Sequence, residues 1–227
     1  MTRTANKTAS KTASRTGTAL RVAHRVACTE AEGPHRRYAL WTRGCTLRCP
    51  GCCNPELFAA DGGEGDADAV PVRTLVADIV ASQRAHGVEG VTLVGGEPLQ
   101  QLAAVTDLAE ETQARGLGVL LFTGYRAAEL LAMPGVERLL ASVDTLVDGR
   151  FDARAPEPPV SAGGRRWIGS RNQRLIHRTP RYADPRLWSS GEGWDVELQL
   201  RADGSIATVG APALAARLRR ALVRRGG

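Results

Sequence analysis

From Pro71 onward, helix-like and strand-like segments take turns along the chain. "PVRTLVADIVASQRAHG" places Leu75, Val76, Ile79 and Val80 at helical spacing, with proline before it and glycine at its end. A short apolar run, "GVTLVGGEP", follows, then the helix "LQQLAAVTDLAEETQARG", then a second run, "LGVLLFTGY". "RAAELLAMPGVERLLAS" reads as another helix and "VDTLVDGRF" as a further strand. Upstream, "LRVAHRVAC" and "RRYALWTRG" read as two strands joined by the polar "TEAEGPH". Helices alternating with apolar runs predict a parallel α/β sheet wound in one sense. Only five or six strands are available, fewer than the eight of a closed barrel, so the expectation is a partial, open one.

The remainder divides simply. Residues 1–20 form a basic tail expected to be disordered, 21–212 a single domain, and 213–227 a basic C-terminal helix or tail. "DARAPEPPVSAGG" reads as a linker or surface loop, and "WDVELQLRADGSIATVG" as a hairpin turning at Asp203-Gly204. The net charge of +6 invites a nucleic-acid reading until the charges are located. Arg3, Lys7, Lys11, Arg15, Arg21 and Arg25 crowd one end, and Arg217, Arg219, Arg220, Arg224 and Arg225 the other, while all 24 acids lie between. The body is therefore net acidic, and no nucleic-acid partner is expected. No run approaches the ~18 apolar residues of a membrane span, and the N-terminus lacks an apolar signal core. No membrane association and a cytoplasmic location are the expectations.

Four of the five cysteines fall within "CTLRCPGCC", Cys45 to Cys53. A disulfide framework would spread its thiols to close loops, whereas clustered thiols in a reducing compartment point to a metal. Tetrahedral zinc wants four ligands, and no second pair follows. A ferredoxin-type cluster also wants four, with only Cys28 and Cys53 to spare. The remaining option takes Cys45, Cys49 and Cys52 as three thiolate ligands of a [4Fe–4S] cube with one iron left open. His24, His35, His86 and His177 show no ligand spacing and read as surface or structural residues.

The spacing Cys45-x3-Cys49-x2-Cys52, followed one βα unit later by Gly95-Gly96-Glu97-Pro98, resembles the radical S-adenosylmethionine (SAM) superfamily. "CPGCCNP", "LLFTGYRAAELL", "DTLVDGRF", "WIGSRNQRLI" and "DGSIATVGAP" occur in the order found in the anaerobic ribonucleoside-triphosphate reductase activating enzymes, glycyl-radical enzyme activases that the chain resembles from about Val22 to Pro212. The position before Asn54 is often aromatic in that family; here it is Cys53. The resemblance implies a partial, open (β/α)6-type radical SAM barrel with a C-terminal β-hairpin and short helix. It also implies an oxidoreductase using a [4Fe–4S] cluster and SAM. Cys45, Cys49 and Cys52 would bind iron and carry the catalysis. Gly95, Gly96 and Glu97 would hold the methionine end of SAM, Gly51, Cys52 and Cys53 its adenine side, and Asn172 and Gln173 the later part of the site. Asp148 would face the cavity or cap a turn. The implied reaction is reductive cleavage of SAM to a 5′-deoxyadenosyl radical, which takes hydrogen from a glycine of a partner such as anaerobic ribonucleotide reductase. Flavodoxin or ferredoxin would donate the electron. A single-cluster peptide epimerase or maturase and a non-catalytic iron–sulfur protein stand as alternatives.

Overall fold

The computed structural model describes residues 18–60, 69–190, 196–200 and 206–211. The first strands are β1 (Ala19–Thr29), β2 (Arg37–Thr42) and β3 (Ala69–Pro71), followed by the helix α1 (Val72–His86). Next come β4 (Gly90–Gly95), α2 (Leu102–Gln113), β5 (Gly118–Thr123), α3 (Ala127–Leu131), α4 (Val136–Ala141) and β6 (Thr145–Asp148). The chain continues through β7 (Arg174–His177), α5 (Arg186–Ser189), β8 (Val196–Leu200) and β9 (Ile206–Gly210).

Seven strands form one sheet in the order β3-β1-β2-β4-β5-β6-β7. Its centre, β2-β4-β5-β6, is parallel, with Thr42 opposite Gly95 and Thr123 opposite Asp148 at the C-terminal ends. β1 and β7 run antiparallel to their inner neighbours and β3 antiparallel to β1. The fold is thus a mixed α/β structure on a predominantly sheet core. Its parallel part has four strands, and antiparallel strands complete it on both sides. β8 and β9 pair separately as an antiparallel hairpin, as the sequence predicts. The Asp203-Gly204 turn, most of the basic N-terminal tail and the C-terminal basic segment lie outside the described residues. Of the stretch assigned to the tail, Ala19 and Leu20 belong to β1, and Leu20 is fully buried.

α1 forms where the sequence places it: Leu75, Val76 and Ile79 are buried, and Gly87 ends it with its N–H bonded to Gln83 O. The expected helix over 126–142 divides into α3 and α4. Pro134 can donate no backbone bond, and Gly135 restarts the chain at φ 82°. α1, α2 and α4 cover one face of the sheet through a core including Leu40, Leu93, Leu108, Leu121 and Leu139. Each such leucine contributes roughly 1.5–3 kcal/mol by burial. The other face carries Leu120 and Val147 under Ile168, Tyr182 and Trp188, and Ala39 and Trp41 under Leu57 and Val209. Among the described residues no helix is long and apolar enough to cross a membrane.

Candidate iron–sulfur site

The C-terminal ends of β2, β4, β5 and β6 lie side by side, and each runs into one of the segments singled out from the sequence. β2 leads to the cysteine loop, β4 to Gly96-Glu97-Pro98, β5 to Gly124-Tyr125, and β6 to Gly149-Arg150-Phe151. Parallel strands place their C-terminal loops on one edge, where such folds build sites.

Hydrogen bonds bind the first two segments into one frame. Gly96 N donates to Thr42 O and Glu97 N to Gly44 O, each at 2.8 Å. The loop is closed on itself where Gly44 N and Cys45 N donate to Leu57 O and Phe58 O at 2.9 and 3.1 Å. Gln100 then clasps Thr46 at both of its ends: its Oε1 accepts from Thr46 N at 3.1 Å, and its Nε2 donates to Thr46 Oγ1 at 2.7 Å. The two glycines serve this frame directly. A Cβ on Gly95 would lie 2.7 Å from Thr42 O, and one on Gly96 2.5 Å from Gly44 O. The Thr42 and Gly44 backbone therefore occupies the space that side chains at these two positions would need.

Cys45 is buried, Cys49 and Cys52 half-buried, and Cys53 exposed. Burial raises the Cys49 thiol; the Phe151 N–H donates to it and opposes the rise, the neighbouring Cys52 and Cys45 add to it, and Arg150 draws it down. The Cys52 thiol is lowered chiefly by a hydrogen bond from Cys53, against burial and with help from Asn54 N at 3.5 Å; the Cys53 thiol is raised by the same bond. The three spaced cysteines thus share one electrostatic neighbourhood, with the Asn54 N–H aimed at the Cys52 sulfur. Among the described residues no three His, Cys, Asp or Glu side chains converge tightly enough to hold a single metal ion. A [4Fe–4S] cube, unlike a lone ion, would take each of the three thiolates at a different iron. Gly51 lies at φ 75° in the same loop, facing Phe151 and Ala153.

Glu97 is 1% exposed. Its carboxylate accepts from Leu99 N at 3.0 Å, Thr123 Oγ1 at 2.8 Å and Gly124 N at 2.8 Å, so it ties the end of β4 to the end of β5. Burial nevertheless prevails over these donors and pushes its pKa up to about 7. Gln173 is spent on its own loop: Oε1 accepts from Gly169 N and Ser170 N, both at 3.0 Å, and Nε2 donates to Gly149 O. Asn172 donates to Arg150 O at 2.7 Å. Both therefore brace the strand-end loop that carries Arg150. Asp148, of the two roles open to it, takes the structural one. It is fully buried, accepts from Ala127 N at 2.7 Å at the start of α3, and pairs with Arg174. His24 packs on Trp41 and His177 meets Thr145 Oγ1, while His35 and His86 are exposed.

Sequence reasoning passed over Arg150. Its guanidinium is forked by Glu129 through two bonds of 2.9 Å and lies 5.9 Å from the Tyr125 ring centre. A Cβ on Gly124 would meet Leu47 of the cysteine loop at 2.5 Å, Glu97 Oε2 at 3.5 Å and Arg150 Cγ at 3.8 Å. Three strand-end segments therefore converge where β5 has no side chain.

A family model described as "4Fe-4S single cluster domain" matches residues 31–176, which span β2 to β7. Among curated proteins, the anaerobic ribonucleoside-triphosphate reductase-activating protein of Vibrio cholerae is 32% identical over 150 residues, covering 64% of this chain and 90% of its own. Its namesakes from Enterobacteria phage T4 and Escherichia coli K12 are each 28% identical, over 156 and 149 residues, with 90% of each covered.

Proposed function

The chain belongs to the 4Fe-4S single cluster domain family and to the anaerobic ribonucleoside-triphosphate reductase-activating proteins, and from that premise we propose that it is a radical SAM activase installing a glycyl radical in an anaerobic ribonucleotide reductase. The observation that carries this reading is the joining of the cysteine loop to Gly95-Gly96-Glu97 by the paired bonds from Gly96 N and Glu97 N. A cluster and the methionine end of SAM must be neighbours for an electron to pass between them, and these two segments share one hydrogen-bonded frame.

When bound, the cluster would supply the electron for reductive cleavage of SAM to methionine and a 5′-deoxyadenosyl radical, and that radical would take hydrogen from a glycine of the partner. The protein's own residues do the holding. Cys45, Cys49 and Cys52 would ligate three irons. Carbonyls of Gly95 and Gly96, with Glu97 behind them, would receive the SAM ammonium, and an arriving cation favours the ionised state of Glu97. Gly51, Cys52 and Cys53 would line the adenine side. Asn172 and Gln173 would contribute through the loop they brace. The reading takes the four-stranded parallel core as part of the partial barrel that the resemblance implies, whose open edge would admit a loop of a macromolecular substrate. Flavodoxin or ferredoxin would deliver the electron in the cytoplasm.

Anaerobic reconstitution should load about four irons per chain, and dithionite with SAM should then release 5′-deoxyadenosine. Cys45→Ser, Cys49→Ser and Cys52→Ser should each lose the cluster, while Cys28→Ser and Cys53→Ser should keep it. Full iron loading in Cys49→Ser, or binding of a single zinc by the unaltered chain, would refute the assignment. Release of 5′-deoxyadenosine without a glycyl radical in the reductase would turn the reading toward a peptide-modifying enzyme.

A further inference from the structure

The loop after β6 is built against the cysteine loop. Phe151 and Ala153 face Gly51 of that loop: a Cβ on Gly51 would lie 2.8 Å from Ala153 Cβ and 3.8 Å from the Phe151 ring. Arg150, one residue earlier, cannot wander. Glu129 grips both its terminal nitrogens, Asn172 holds its carbonyl, and its stem crosses Gly124 beside Glu97. Glu129 is itself fixed, accepting from Arg126 N at 2.7 Å. An exposed ion pair contributes little to folding, and Arg150 is 42% exposed. What so many contacts achieve is to hold a positive charge at one place beside the cysteine loop, whose Leu47 meets the same glycine, Gly124, as the stem of Arg150.

We infer that Arg150, held by Glu129, is the positioning residue whose charge sets the reduction potential of a cluster ligated by Cys49; the inference rests on the cluster reading above. Reduction adds one negative charge to the cluster, so a cation nearby stabilises the reduced form and raises the potential, and an anion lowers it. In the unaltered protein Glu129 offsets part of the charge of Arg150. Removing either partner uncovers the other. The two single variants should therefore shift the potential in opposite directions, whereas a purely structural ion pair has no such signature.

The test is redox titration of reconstituted protein, followed by the electron paramagnetic resonance signal of the reduced cluster. Arg150→Gln should titrate at a more negative potential than the unaltered protein, Glu129→Gln at a more positive one, and Arg150→Lys close to it. Both shifts should shrink as salt is raised, because the pair is partly exposed to solvent. Thermal unfolding of the cluster-free variants supplies the structural control: Arg150→Lys and Arg150→Gln should unfold close to each other and to the unaltered protein, because the exposed pair contributes little to folding, and yet differ from one another in potential. Unchanged potentials in loaded variants, or shifts of one sign in both, would overturn the inference while leaving the cluster in place. Failure of the unaltered protein to take up iron would remove the cluster reading and this inference together. Should Arg150→Gln not fold, Glu129→Gln and Arg150→Lys still carry the test.

Discussion

At Glu97 two opposing effects meet. Three donors converge on its carboxylate and favour the ionised form, yet burial raises it to about 7. An acid raised on folding keeps its proton in the folded state after the unfolded chain has released it. Stability must then fall as pH rises from about 4.5 to about 7 and level off above. Glu32 is raised to about 7 by burial too and adds to the same slope. Glu97→Gln should remove one share, of order 3 kcal/mol at most, from the difference in unfolding free energy between pH 5 and pH 7.5. Urea titrations of cluster-free protein measure it; an unaltered difference would mean that Glu97 is already ionised in the fold. A second residue-scale contrast concerns two glycines with positive φ. Gly116, at φ 75°, has nothing within 4 Å of the place a methyl would occupy, so Gly116→Ala should cost only the left-handed strain, about 1 kcal/mol. Gly95, at φ 113°, would drive a methyl into the Thr42 backbone, which no rotamer relieves. Gly95→Ala should cost at least about 3 kcal/mol by the same titration and loosen the frame that holds the cysteine loop.

At the scale of elements, β6 shows how a strand end is both made and used. Asp148 is fully buried, while Arg174, its partner on antiparallel β7, is 58% exposed. Losing the arginine strands a buried carboxylate with one backbone donor; losing the charge of the carboxylate lets the arginine return to water. Asp148→Asn should therefore cost about 1 kcal/mol, and Arg174→Leu more, both read from urea titrations. Equal losses would show that the pair acts as an ordinary surface bridge. The same strand explains what could be read from the sequence. β4, β5 and β6 are buried almost throughout, and β4 and β5 appear as apolar runs such as "GVLLF". β3 has three residues and β7 has exposed ends, so neither has an apolar pattern of its own, and both exist because of the strands they pair with. In the site, cysteine spacing and Gly-Gly-Glu-Pro are local in sequence and therefore legible. Arg150 is one of 28 arginines, and its place against Gly124, with Glu129 from 21 residues earlier on its guanidinium, follows only from the fold.

Across the whole molecule, the two ends of the parallel sheet are put to different uses. The C-terminal edge gathers thiols, Glu97 and Arg150. The N-terminal edge is closed by Arg37, the first residue of β2, which is fully buried. No carboxylate bonds to it among the described residues: its guanidinium donates to Thr92 Oγ1 at 3.1 Å, to Val91 O and to Tyr182 Oη, and burial lowers its pKa. Such a cation is held by neutral acceptors alone, so each acceptor counts. Tyr182 also lies against the ring of His35 and accepts the indole N–H of Trp188 at its carbonyl, joining α5 to the sheet. Tyr182→Phe keeps the ring and the packing but leaves one guanidinium N–H unsatisfied in the interior, a loss of about 1–3 kcal/mol. Because the affected atoms lie at the far ends of the strands, iron content, cluster potential and 5′-deoxyadenosine release should stay at the level of the unaltered protein, while the thermal midpoint falls. A fall in iron content parallel to the fall in stability, measured below the unfolding transition, would show that the two edges are coupled through the sheet and that closure of one end positions the other.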